Sequence, residues 1–122
     1  MAITKSTSVF IVEDSSVIRT RIKMLLAEVE KVKVVGEADC AVDAIKFGSK
    51  LLPDVMVLDI NLLGNDTGFL VLKEMKKIHP SLITIVLTNY ADAQYKKKSE
   101  ELGANYFFDK SNQFNEMVKV FN

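Results

Sequence analysis

Short apolar runs alternate with helix-spaced segments along this chain, and that alternation restricts the fold more than any other feature. Val9, Phe10, Ile11 and Val12 form a compact β-branched and aromatic run, the signature of a buried strand. Residues 32–38, 55–58, 82–87 and 106–108 read the same way. Between them lie segments with helical periodicity. Ile18, Ile22, Leu25, Leu26 and Val29 follow the N-capping candidates Ser15 and Ser16. Residues 41–51 read as a helix stopped by Pro53. Phe69, Leu72, Met75 and Ile78 mark the stripe of a third helix closed by His79 and Pro80. A fourth, residues 91–102, carries a weak apolar stripe and ends at Gly103, and a fifth covers residues 112–121. Five strands, each followed by a helix, imply an α/β fold. Its parallel sheet is doubly wound, with helices on both faces and strand order 2-1-3-4-5.

The chain has 122 residues, enough for one core and too few for two. Lys plus Arg equals Asp plus Glu, so the net charge is zero. That balance argues against a dedicated nucleic-acid binder, which carries a basic excess. One cysteine, Cys40, cannot close an internal disulfide, and it reads as a small buried apolar residue in a reducing compartment. No apolar run reaches membrane-spanning length, and residues 1–8 lack the pattern of a secretory signal. The expectation is a cytoplasmic protein with no membrane contact.

In open parallel sheets, ligands sit beyond the carboxyl ends of the strands where strand order reverses. For order 2-1-3-4-5 that point lies between strands one and three. Glu13 and Asp14 follow strand one, and Asp59 follows strand three; Thr88 ends strand four and Lys110 follows strand five. Three carboxylates on one rim repel one another and call for a cation. Their hard oxygens suit Mg²⁺, which keeps several waters and accepts phosphoryl oxygens into its shell. A carboxylate can also act as a nucleophile and form an acyl phosphate. Taken singly, each of these residues is more often structural: Asp14 suits a helix cap, Thr88 a strand end, Lys110 a surface charge. Taken together at four strand ends, they point to an acceptor at Asp59.

With these motifs in order, the chain resembles the receiver domain of two-component response regulators, of the single-domain type with a flavodoxin-like fold. The motifs are the acidic pair Glu13 and Asp14, the Asp59 after Val57 and Leu58, Thr88 after Leu87, Gly103-Ala104 before strand five, and Lys110 after it. The resemblance implies that residues 1–122 are one receiver domain with no output domain. It implies that Asp59 takes a phosphoryl group from a phosphohistidine on a sensor histidine kinase or histidine phosphotransfer protein, with Thr88 and Lys110 assisting. Asp14, Asp59 and the backbone carbonyl of Asn61 would bind Mg²⁺, with Glu13 acting through a water. Thr88 and Phe107 would be the switch pair, Tyr106 pointing to the other face. The chain would be no enzyme beyond its own phosphorylation and dephosphorylation, and would signal to a downstream protein, not to nucleic acid. Tyr95, Lys96, Lys97, Lys98, Val118 and Phe121 are candidate partner contacts, although the lysine run also reads as a solvated face.

Four positions leave the family pattern. Leu63 stands where a proline is frequent, in a loop that reads one residue longer before Gly68. Ser111 stands where a proline, often cis, follows the lysine. Asn89 replaces a small residue after Thr88, and Tyr90 comes next. Asn89 and Tyr90 are expected to narrow access to Asp59 and slow loss of the phosphoryl group. Among rivals, an aspartyl phosphohydrolase would carry a second Asp where this chain has Asn61. A flavin mononucleotide binder needs a phosphate-binding loop where it has Glu13 and Asp14. A non-phosphorylated pseudo-receiver that only binds partners remains the alternative. His79, before Pro80 and far from the rim, reads as no part of the chemistry.

Overall fold

A computed structural model describes residues 6–121; the expectations for residues 1–5, including the absent secretory signal, lie outside the described residues. Its elements are β1 (Thr7–Val12), α1 (Ser16–Ala27), β2 (Val32–Ala38), α2 (Ala41–Leu51), β3 (Val55–Leu58), α3 (Gly68–Ile78), β4 (Ile83–Thr88), α4 (Ala93–Glu101), β5 (Tyr106–Asp109) and a closing 3-10 helix, Phe114–Phe121. The five strands form one parallel sheet in the order β2-β1-β3-β4-β5. The expected architecture of five strands and five helices is therefore present, with the fifth helix wound as 3-10 and starting two residues later than expected.

Both sheet faces are covered, which is why the central strands are continuously apolar and do not alternate. On one face, Phe10, Met56, Leu58 and Val86 pack with Ala44 of α2 and Phe69, Leu72 and Met75 of α3. On the other, Val9, Ile11, Val57 and Ile85 pack with Ile22 and Leu26 of α1 and with Phe114 and Met117 of the closing helix. β2 skips a residue against β1, pairing Val9 with Val34 and Phe10 with Gly36. A β-carbon at Gly36 would lie 2.7 Å from the Phe10 ring, so this bulge exists where the Phe10 side chain needs its space.

Several expectations are corrected. α1 ends at Ala27, leaving Val29 beyond it, and Ile78 is exposed at the end of α3. Cys40 is half-buried and precedes α2 without a side-chain cap bond. Val118 and Phe121 turn toward the α1 face of the sheet and are half-buried there. The fourth helix is as lightly anchored as its sequence suggests: Ser99 is its one buried residue and Tyr95 its one ring. No helix among the described residues is long and apolar enough to cross a membrane.

Candidate functional site

The carboxyl ends of β1 and β3 bring the acidic residues together because the two strands pair in register, Val12 beside Leu58. The Asp59 N–H donates to the Val12 carbonyl at 2.9 Å and the Glu13 N–H to the Ala38 carbonyl at 3.0 Å, so the ladder continues one residue past each strand. Ser15 caps α1, its hydroxyl accepting from the Ile18 N–H. Asp14 is thereby left free of the capping role. Its carboxylate instead accepts from the Leu63 N–H at 3.1 Å.

Glu13, Asp14 and Asp59 present carboxylate oxygens within 4.8 Å of one another. Lys110 reaches between two of them. Its ammonium donates to Glu13 Oε1 at 2.6 Å and to Asp59 Oδ2 at 2.7 Å, with all three side chains more than nine-tenths buried. One ammonium cannot balance three carboxylates. Burial pushes the Glu13 carboxyl up to about 7, against the lowering pull of Lys110 and the Ser15 N–H. Burial likewise opposes the charge on Asp14 and Lys110. Hydrogen bonds from Glu13 and the Leu63 N–H outweigh it at Asp14, whose pKa falls below the ordinary carboxylate value. Bonds to Asp59 and Glu13 outweigh it at Lys110, whose pKa rises above the ordinary lysine value. The residual negative charge and the hard oxygen donors fit a divalent cation such as Mg²⁺.

A cavity of about 490 Å³ opens over this group, with Glu13, Asp14, Asp59 and Lys110 at its base. Asn61, Asn89 and Tyr90 also line it, as do the α1 cap Ser15 and Ile18 and Arg21 of α1. Asn89 and Tyr90 are both exposed where they line the cavity. Thr88 does not line the cavity. It is fully buried, its hydroxyl accepts from the Tyr90 N–H at 3.2 Å, and its carbonyl accepts from the Lys110 N–H at 2.9 Å. Phe107 packs on the α2–α3 face of the sheet, while Phe108 packs on the opposite face and stacks with the half-exposed Tyr106 at 6.3 Å. Phe107 and Thr88 thus share a face by strand alternation, although Phe107 stands away from the cavity. The bond before Ser111 is trans. His79 caps α3 at the other end of the sheet, its Nε2 2.9 Å from the Pro53 carbonyl.

The β3–α3 loop explains the departure at Leu63. Leu62 and Asn65 bond reciprocally, closing a two-residue turn in which Leu63 (φ 53°) and Gly64 (φ 80°) both have positive φ. Proline cannot adopt that conformation. Three features escape a reading of the residues in order. The Arg19 guanidinium donates to the Glu13 and Asp14 carbonyls at 2.8 and 3.2 Å and bonds Glu37 at 3.0 Å, buttressing the acidic turn. Arg21 reaches the cavity mouth with its guanidinium 3.8 Å from the centre of the Phe114 ring. Asp66 accepts from both Asn61 and Tyr95. None follows a periodic pattern that would flag it.

Over residues 9–122 the chain matches the family described as the response regulator receiver domain. It is 30% identical over 112 residues to the response regulator GacA of Pseudomonas aeruginosa, covering 92% of this chain and 52% of that protein. The chain spans about half the length of the first curated relatives it matches. The signal receiver domain of the putative response regulator NarL from Mycobacterium tuberculosis superposes with a TM-score of 0.85 at 25% identity, covering 96% of this chain and 94% of that one. A Borrelia burgdorferi CheX-CheY-BeF3-Mg+2 complex has a chain of the same fold, with a TM-score of 0.81 at 19% identity and coverage of 97% and 91%.

Proposed function

From the premise that this chain belongs to the response regulator receiver-domain family of two-component systems, we propose that it receives its signal as a phosphoryl group on Asp59. The observation that carries this reading is the Lys110 ammonium bonded to Asp59 Oδ2 and Glu13 Oε1 inside an acidic cavity. A buried lysine held on a carboxylate nucleophile is placed to stay with the oxygens of an incoming phosphoryl group.

In the proposed reaction a carboxylate oxygen of Asp59 attacks the phosphorus of a phosphohistidine on a histidine kinase or phosphotransfer protein. The O–P bond forms as the P–N bond breaks, and the imidazole leaves with the electron pair and takes up a proton. Asp14, Asp59 and the Asn61 carbonyl are the proposed Mg²⁺ ligands, with Glu13 acting through a water; bound Mg²⁺ would neutralise charge on the transferring oxygens. The Lys110 ammonium does the same from the protein side. Thr88 supports the floor of the cavity in the resting state. As the proposed switch residue it turns its hydroxyl from the Tyr90 N–H toward the phosphoryl group, and Phe107, with no hydroxyl, follows by packing alone. Residues 1–122 are proposed to act as a single receiver domain whose downstream partner is a protein.

The test is incubation with Mg²⁺ and acetyl phosphate, read by intact mass. A phosphoryl adduct on the native chain and none on Asp59→Asn is the expected result. An unmodified native chain would overturn the acceptor role and leave a module that only binds partners.

A further inference from the structure

A chain of hydrogen bonds leads from Asp59 out of the cavity to α4. The Asn61 N–H donates to Asp59 Oδ1 at 3.2 Å. The Asn61 side-chain amide donates to Asp66 Oδ1 at 3.1 Å. The Tyr95 hydroxyl donates to Asp66 Oδ2 at 2.6 Å, the short distance of a charge-assisted bond. That contact pushes the Tyr95 phenol up to about 12, the hydrogen bond to Asp66 being the largest cause.

Tyr95 matters more to α4 than one contact suggests. The helix reads Ala-Gln-Tyr-Lys-Lys-Lys-Ser-Glu-Glu, so it has a single ring and little else to bury. That ring lies 5.6 Å from Phe69 of α3 and 5.5 Å from Tyr90 at the cavity mouth. A helix held this lightly opens at small free-energy cost, so even a modest bond at its one ring shifts that opening.

We propose that Asp66 is a positioning residue of the acceptor site and that Tyr95 is the arm through which α4 reads it. Asp66 clamps the Asn61 side chain with one oxygen and α4 with the other. Movement of Asn61, whose N–H contacts the acceptor carboxylate, changes the geometry at Asp66 and with it the hold on Tyr95. This route runs over the β3–α3 loop and meets the Thr88 side at Tyr90, which stacks on Tyr95 and donates its N–H to the Thr88 hydroxyl. Coupling of this kind is reciprocal, so loss of the Tyr95 hydroxyl also loosens Asn61. The functional meaning rests on the acceptor reading, but the link exists in the resting protein and is tested there.

The experiment is a double-mutant cycle on the unloaded chain, read by amide hydrogen exchange over residues 93–101. Asn61→Ala removes the side-chain bond to Asp66 and leaves the Tyr95 hydroxyl's own bond to Asp66 in place. It is expected to speed exchange in α4 by roughly two- to threefold, the modest worth of weakening a solvent-exposed bond. In the Tyr95→Phe background, which keeps the ring and its stacking, α4 already exchanges faster and Asn61→Ala adds nothing. An equal acceleration by Asn61→Ala in both backgrounds, or none in either, overturns the proposal. The beryllofluoride adduct with Mg²⁺, followed by ¹⁹F NMR, scores the acceptor reading separately. A native chain that fails to bind it while the cycle shows coupling sinks the acceptor and leaves the link standing.

Discussion

Replacing Gly68 with alanine tests how tightly the acceptor strand and α3 are joined. A β-carbon there would lie 2.4 Å from the Asp59 carbonyl oxygen, 2.5 Å from Ile60 Cα and 2.6 Å from the Ile60 carbonyl oxygen. These are roughly 1 Å short of ordinary contacts, and all three neighbours are backbone, so no side chain can swing away. The Gly68 N–H also donates to the Ile60 carbonyl at 2.8 Å, which holds the helix start against the obstruction. Overpacking of this kind costs about 3 kcal/mol. Alanine recovers up to about 1 kcal/mol as a better helix former than glycine. The net loss is about 2 kcal/mol, or a fall in Tm of about 8 °C for a chain of this size. Because the strain falls on Asp59 and Ile60, acetyl phosphate labelling should slow as well. Thermal melts followed by far-UV circular dichroism suit a chain without tryptophan. Gly64→Ala is the comparison: its β-carbon meets nothing, but φ is +80°, so it costs about 1 kcal/mol through backbone conformation alone. A Gly68→Ala melt within about 2 °C of the native one would show that α3 is not seated on the acceptor backbone as described.

Glu13 makes stability depend on pH. Its folded carboxyl is raised to about 7 against 4.5 unfolded, so folding favours the protonated acid, and its contribution is lost as pH rises from about 4.5 to about 7. The urea midpoint of the native chain should fall across that window, and Glu13→Gln, which keeps an oxygen for Lys110, should flatten the profile; equal slopes would refute the assignment. Asn89→Ala and Tyr90→Ala open the cavity mouth and should speed loss of the phosphoryl group several-fold, measured by mass after acetyl phosphate is removed. Unchanged rates would mean that these side chains do not control access to Asp59.

Legibility differed between fold and site for a physical reason. Buried parallel strands and amphipathic helices are written in residues close together in the chain, so residues 9–12, 55–58 and the Phe69, Leu72 and Met75 stripe could be read directly, and strand order followed from topology. The last helix was harder. Its apolar residues fit a helix, and Phe114 and Met117 seat on the α1 face, but their spacing does not separate α from 3-10 winding. At the site, the sequence by itself supplied the ingredients, since carboxylates and a lysine one step past strand ends must meet on one rim. Tertiary structure alone decided how they share charge. Lys110 bridges Glu13 and Asp59 while Asp14 turns to the Leu63 N–H. Thr88 lies beneath the cavity, and Asp66 ties Asn61 to Tyr95. These are contacts between residues distant in the chain, fixed by side-chain direction and loop φ angles that no local pattern encodes.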